Sequence, residues 1–273
     1  MTRLSLGISP CPNDTFAFHA LLERRIPTPG LELSFTLLDI EELNGRFLAG
    51  AFDACKVSFA ALAGHTELRV LSAGAALGFG VGPLLVAAPG ARLERGAEGR
   101  PRIPDGARVL CPGARTSAHL LYRLFHPGEG RVEHVLFSRI LPALAAHEAD
   151  FGVCIHEGRF TYAALGLQRV EDLGARWEER ERAPLPLGGI ALRADLAPEL
   201  GDALEQAIGR SIDYARAHRD EALVTMRAHA QESSDAVLWQ HVELYVNEWT
   251  RALGPRGERA LARFRELAAA QLP

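Results

Sequence analysis

The chain has 273 residues, 48% of them hydrophobic and 23% charged, with 34 acidic against 30 basic side chains and a net charge of −4. That length and apolar content suffice to bury a real core in one large domain or two small ones. The acidic balance, with no Lys/Arg block, excludes nucleic acid and anionic membrane as main partners, because both require a concentrated basic face.

A small molecule is therefore the expected partner. No apolar run reaches the ~20 residues that span a bilayer, and the start of the chain lacks a basic segment followed by a long apolar one. A cytoplasmic location is expected. Cys11, Cys55, Cys111 and Cys154 form no CxxC pair, so four free thiols in a reducing compartment are expected.

Taken in chain order, a first strand is expected over residues 3–8. It runs into Ser9-Pro10-Cys11-Pro12-Asn13-Asp14-Thr15, where two prolines fix the chain path and Asn13, Asp14 and Thr15 head a helix. Ser9, Asn13, Asp14 and Thr15 are candidates for one wall of a ligand cleft, and helix capping is the plainer use of the same residues. Strands over 31–38 and 52–57 follow, the second running into Lys56, Val57 and Ser58. Lys56 is the sole lysine among the 30 basic residues. Either the position needs a compact ammonium that a guanidinium does not replace, or an arginine-biased composition left it there by chance.

A strand over 68–72 precedes the glycine-rich run 74–82. That run leads into a further strand, 83–88, and not into a helix, so it is neither a dinucleotide fingerprint nor a P-loop; it reads as the approach to a hinge. Residues 89–106, rich in Gly, Pro and charge without periodicity, read as a linker. After a strand over 107–111, Thr116 and Ser117 follow a Pro-Gly turn and start an apolar helix. Their hydroxyls and the free N–H groups of the first turn suit a carboxylate, and simple N-capping is compatible with that use.

Strands over 132–137 and 150–155 come next. The latter ends at His156, where a neutral imidazole suits a general base near pH 7, although a histidine at a strand end also serves to bridge backbone groups. Strands over 167–173 and 189–193 flank a second loop-like patch, 178–187. From 198 to 271 the pattern is helical, with stripes at Ala203, Ala207, Ser211 and Tyr214 and at Val237, Leu238, His241, Leu244 and Tyr245, and Ser233 or Ser234 as N-cap. His241 and the remaining histidines fit helix faces or loops and carry no functional assignment.

The alternation of strand and helix indicates an α/β protein with largely parallel sheets. The chain crosses twice between a larger discontinuous lobe, 1–88 plus 194–273, and a smaller inserted lobe, 89–193. LGISPCPNDTFAFHALL echoes RVLCPGARTSAHLLYRL, and LAGAFDACKVS echoes LAAHEADFGVCIH, which suggests two similar lobes. No HExxH, no dense His/Asp/Cys set and no G-x-S-x-G elbow occurs, so neither a catalytic metal nor a serine nucleophile is expected. Each cysteine is expected to be a small buried hydrophobe.

SPCPNDT, KVS at Lys56 to Ser58, PGARTSA from Pro112 and IHEGRFTY from Ile155 together resemble the 1,4-dihydroxy-6-naphthoate synthases of the futalosine route to menaquinone. The likeness runs over nearly the whole chain, including LPLGGIALR and the helix around His241. It implies a two-lobed type II periplasmic-binding-protein-like fold with a ligand cleft between lobes. It also implies carbon–carbon cleavage of cyclic de-hypoxanthinylated futalosine, without metal or organic cofactor. Carried over by position, Lys56, Val57 and Ser58 line the substrate, Thr116 and Ser117 bind it, and His156 accepts a proton. The alternatives are a chorismate dehydratase of the same pathway and a small-carboxylate solute-binding protein.

Overall fold

The computed structural model describes residues 1–96, 99–230 and 234–271. The chain forms two compact units: residues 1–78 together with the described residues from 186 onward, and residues 79–185.

In the first unit, β1 (Thr2–Ile8) buries Leu4, Leu6 and Ile8, the positions that a two-residue side-chain period sends to one face. α1 (Pro12–Ala17) opens on a proline, whose missing N–H is no loss at a helix start and whose φ is already helical. α2 (His19–Leu22) and β2 (Leu31–Leu37) follow. α3 (Ile40–Leu48) is capped by Asp39, which accepts from the Glu41 amide at 2.9 Å. β3 (Ala54–Ser58) is buried at every residue. β1 pairs in parallel with β2, from Thr2↔Leu31 to Ile8↔Leu37, and with β3 through Leu6↔Ala54 and Gly7↔Cys55. Short strands β4 (Arg69–Val70) and β5 (Ala76–Gly78) end this part.

The second unit contains β6 (Leu84–Ala87), a small hairpin of β7 (Glu94–Arg95) and β8 (Pro101–Arg102), β9 (Arg108–Cys111), α4 (Ser117–Phe125), β10 (Arg131–His134) and α5 (Phe137–Ala145). It continues through β11 (Phe151–Cys154), α6 (Gly158–Thr161), β12 (Gln168–Asp172) and α7 (Leu173–Glu181). Its sheet runs β10-β9-β11-β6-β12. Ile140, Leu141 and Leu144 of α5 pack on Leu84, Val86, Leu110 and Cys154. Gly152 permits that approach, since a Cβ there would stand 2.5 Å from Ile140.

β13 (Leu185–Leu192) returns the chain to the first unit, where α8 (Pro198–Ala217), α9 (Arg219–His229), α10 (Asp235–Tyr245), α11 (Glu248–Arg251) and α12 (Gly254–Ala269) complete it. The sheet order is β2-β1-β3-β13-β4, with β5 on β13. Leu204, Ile208 and Ile212 of α8 cover Leu6, Ile8 and Ile190, each fully buried Leu or Ile contributing about 1.5–3 kcal/mol. A second cluster joins Phe16 of α1 to Met226, Leu238 and Val242 of α9 and α10.

All ten expected strands are present within a few residues, and the chain passes between units inside the glycine-rich run, after Gly78. The sheets, however, are mixed and not largely parallel: β6 runs antiparallel to β11 and β12, and β13 antiparallel to β3 and β4. Both strands are continuous apolar runs, and burial on two faces carries no mark of direction. The same pairings move the unit boundaries ahead of residues 88 and 193, because β6 belongs to the second sheet and β13 to the first.

The patch 178–187 is not a loop. Asp172 caps α7 by accepting from the Gly174 and Ala175 amides, buried Trp177 anchors the helix by donating to the Pro184 carbonyl, and Arg182 ends it at φ 50°. Within 89–106, the hairpin β7–β8 stands where no element is expected, and residues 97 and 98 lie outside the described residues. Residues 132–137 split into β10 and the start of α5. Ser234 holds the N-cap position of α10, and Ser233 lies outside the described residues.

The sequence echo has a structural counterpart. β1 lies between its parallel neighbours β2 and β3 as β9 lies between β10 and β11, and an antiparallel strand follows on the same side in each sheet. The echoed aspartates take the same post. Asp53 accepts from the Ser5 amide at 2.8 Å and donates its own N–H to the Ser5 carbonyl at 3.1 Å; Asp150 does the same to Arg108 at 2.7 and 3.1 Å.

One buried group makes the first unit sensitive to acid. His19 is 1% exposed, with Nδ1 hydrogen bonded to Thr225 Oγ1 at 2.8 Å and Nε2 without a hydrogen-bond partner. Burial lowers its pKa from the usual 6.5, against the opposing pull of Glu221 and Glu23 and with the help of Arg25 and His218. Below pH 6.5 the unfolded chain binds a proton that the folded chain refuses, so the contribution is complete above that pH and is lost as pH falls. The slope is at most about 1.4 kcal/mol per pH unit. Urea unfolding at pH 7.5 and 5.5 should show wild type losing more stability than His19→Gln, by no more than about 1.4 kcal/mol; equal losses would exclude His19 as the source.

Candidate active site

In an open α/β sheet, ligand chemistry collects beyond the carboxyl ends of parallel strands. Each unit gathers its candidate residues at such an edge. In the first, the turn after β1 and the end of β3 stand side by side because those strands are parallel neighbours. In the second, the turn after β9 and the end of β11 do so for the same reason, through Phe151↔Val109 and Gly152↔Leu110.

The first group centres on Lys56. Its Nζ donates to Asp14 Oδ1 at 2.6 Å and to the Gly74 carbonyl at 3.1 Å, with lysine and aspartate 5% and 2% exposed. Asp14 also accepts from Ser9 Oγ on Oδ2 at 2.7 Å and from Asn13 Nδ2 on Oδ1 at 2.8 Å. Removing two charges from water costs several kcal/mol per ion, recovered only where geometry is good and the remaining lone pairs are satisfied. Here three donors converge on one carboxylate.

Ser58 makes two hydrogen bonds with the Asn44 side chain: its N–H donates to Oδ1 at 2.8 Å, and its Oγ accepts from Nδ2 at 3.2 Å. Val57 is fully buried and pairs with Gly189 of β13. Thr15 is fully buried and its hydroxyl donates back to the Cys11 carbonyl at 3.1 Å, one helical turn earlier. Ser9, Asn13 and Asp14 are likewise buried and form the network that holds Lys56.

The second group starts at Thr116, the N-cap of α4. Its Oγ1 donates to the Gly113 carbonyl at 2.9 Å and accepts from the His119 amide at 3.2 Å. Thr116 and Ser117 are 3% and 4% exposed. The positive end of the nine-residue helix lies at this turn. His119 Nδ1 is 3.0 Å from the Ala114 carbonyl, an acceptor only, so that nitrogen carries the proton. Its ring meets the edge of His134 at 4.5 Å, and burial lowers the pKa of His134.

His156 follows β11 directly, is half-buried, and packs edge-on to Phe137 at 4.7 Å between ring centroids. Its φ is +52°. A residue with a Cβ in the left-handed region costs on the order of 1–2 kcal/mol, and such strain concentrates at functional sites. A glycine would fit without strain, yet an imidazole stands there.

All four cysteines are free and buried, and burial raises the thiol pKa of Cys55, Cys111 and Cys154, the last to about 12. They are packing groups. Among the described residues no cluster of three or more His, Cys, Asp or Glu is placed to hold a metal ion, and no helix is long and apolar enough to cross a membrane.

The sequence marks Lys56 and His156 but not His241 and Asn44. His241 is 1% exposed on α10 with Nε2 2.8 Å from Asn13 Oδ1. The available signal was a histidine on the same helical stripe as Leu238 and Tyr245, all buried.

A family model described as menaquinone biosynthesis matches residues 4–270. A Thermus thermophilus protein named 1,4-dihydroxy-6-naphthoate synthase is 48% identical over 265 residues, 97% of this chain and 93% of that protein. A crystal structure of an Archaeoglobus fulgidus protein superposes with a TM-score of 0.88 at 31% identity, covering 98% of this chain and 97% of the other. A Candida albicans protein described as having the generic periplasmic-binding-protein fold superposes at 0.68 and 13% identity, over 100% and 92%. The fold here is accordingly periplasmic-binding-protein-like.

Proposed function

The chain belongs to the menaquinone biosynthesis family, and from that premise we propose that it is a carbon–carbon lyase converting cyclic de-hypoxanthinylated futalosine to 1,4-dihydroxy-6-naphthoate. The observation that carries the proposal is His156, held at φ +52° at the carboxyl edge where the Thr116–Ser117 turn also lies. In this reaction His156 is the general base. It takes the proton of the substrate hydroxyl on the sugar-derived side. In a retro-aldol-like step the bond to the sugar-derived fragment breaks, a carbonyl forms on the departing side, the bonding pair enters the ring that becomes aromatic, and the ring oxygen left negative takes up the proton that His156 removed. Thr116, Ser117 and the first-turn amides of α4 receive the substrate carboxylate, and Lys56, Val57 and Ser58 belong to the same substrate's binding set.

No metal or organic cofactor takes part in the proposed reaction, and the proposed location is the cytoplasm, which suits four buried free thiols. Purified protein mixed with the cyclic futalosine derivative should release the naphthoate, detected chromatographically, at the same rate with and without chelator. Substrate recovered unchanged after tight binding would favour a solute-binding protein. Turnover of chorismate in its place would favour the dehydratase, and loss of rate with chelator would end the cofactor-free mechanism.

A further inference from the structure

The polar chain behind Lys56 begins on a helix distant in sequence. His241 of α10 reaches Asn13 of α1, Asn13 reaches Asp14, and Asp14 holds Lys56, at 2.8, 2.8 and 2.6 Å. Each link has one direction only. A carboxylate accepts, so Asn13 must turn its NH2 to Asp14; its carbonyl oxygen then faces His241, which must present Nε2–H.

We infer that His241 is a positioning residue for Lys56, setting the orientation of the Asn13 amide and through it the Asp14 carboxylate that fixes the ammonium. Without the imidazole N–H, the Asn13 carbonyl oxygen loses this anchor, and the amide, still turned NH2-first toward the carboxylate, is less firmly held in place. One of the three donors on Asp14 is thereby loosened, and the Lys56 ammonium is held by a less restrained carboxylate. The four side chains are all nine-tenths buried, so solvent is poorly placed to replace the lost bond and the consequence is passed along the chain. The inference deepens the proposed reaction and rests on it for the turnover effect alone.

The chain's single lysine makes the test direct. Protein grown with lysine labelled with 15N at Nζ gives one ammonium signal. His241→Leu should shift or broaden that signal and lower turnover about ten-fold, the weight of one buried hydrogen bond beside a charge. His241→Gln, whose amide can supply a donor near the place of Nε2–H, should restore the signal and bring turnover within about three-fold of wild type. Asn13→Ala cuts the same link from the other side and decides the matter should His241→Leu not fold.

A Lys56 signal at its wild-type position in both His241→Leu and Asn13→Ala would overturn the inference, as would a His241→Gln protein that behaves like His241→Leu. A role in packing alone would lower thermal stability and leave the signal unmoved. If the signal moves as expected in variants of a wild-type chain that makes no naphthoate, the positioning role stands and the proposed reaction falls.

Discussion

His156→Asn folds as wild type does and loses turnover by about a hundred-fold or more, the usual contribution of a positioned acid or base. Asparagine is the informative replacement because it tolerates the left-handed backbone better than other residues with a Cβ. At φ +52°, most substitutions would mix lost chemistry with added strain. His156→Gly carries the argument further. It relieves the strained backbone and is expected to match or exceed wild-type stability, by up to about 1 kcal/mol, while remaining inactive. A stable, inactive glycine variant would show a site held in strain for function. Near-normal kcat in His156→Asn would remove the residue from the mechanism, and a destabilised His156→Gly would mean that the ring's contact with Phe137 matters more than the backbone strain.

Lys56→Met destabilises the first unit by about 3–5 kcal/mol, because it leaves Asp14 as a buried and uncompensated charge. The expected readout is a lower urea midpoint in a probe specific to that unit, since a chain of two units need not unfold in one step. The double variant Lys56→Met/Asp14→Leu removes both charges and should recover most of the loss, as replacement of a buried pair by apolar groups often does. Turnover should not recover with it. That split separates a charge kept for substrate from one kept for stability. Recovery of activity in the double variant would make Lys56 a structural group only. Lys56→Arg is no conservative test here, because a planar fork must enter a space that now holds an ammonium 2.6 Å from Asp14 and 3.1 Å from the Gly74 carbonyl.

The strands were legible because their periodicity is local. β1 shows alternating burial, β11 is a short apolar run, and each is bounded by turn residues. The echo between the two halves was legible too, since Asp53 and Asp150 each brace a neighbouring strand and the role leaves a fixed spacing from the strand that follows. α7 was hidden because its charged surface resembles a loop, and only the burial of Trp177 and the Asp172 cap distinguish it. Of the site, Lys56 and His156 stood out by rarity and by place. The link from Lys56 to Asp14 and Asn13 did not, because those residues, candidates for a cleft wall, also look like capping residues in a helix's first turn.

By itself the sequence determined the α/β class and the strand positions, and it marked the candidate residues at the strand ends, all of which depend on short-range patterns of side-chain type. Only the tertiary structure decided the direction of β6 and β13, the limits of the two units, the left-handed backbone of His156 and the links from His241 to Lys56. Strand direction depends on which edge is free when a strand arrives, and His241 and Asn13 meet through packing of α10 on α1 across most of the chain. Neither leaves a periodic trace, because a hydrogen bond between residues so far apart depends on the route of the whole backbone and not on any local spacing.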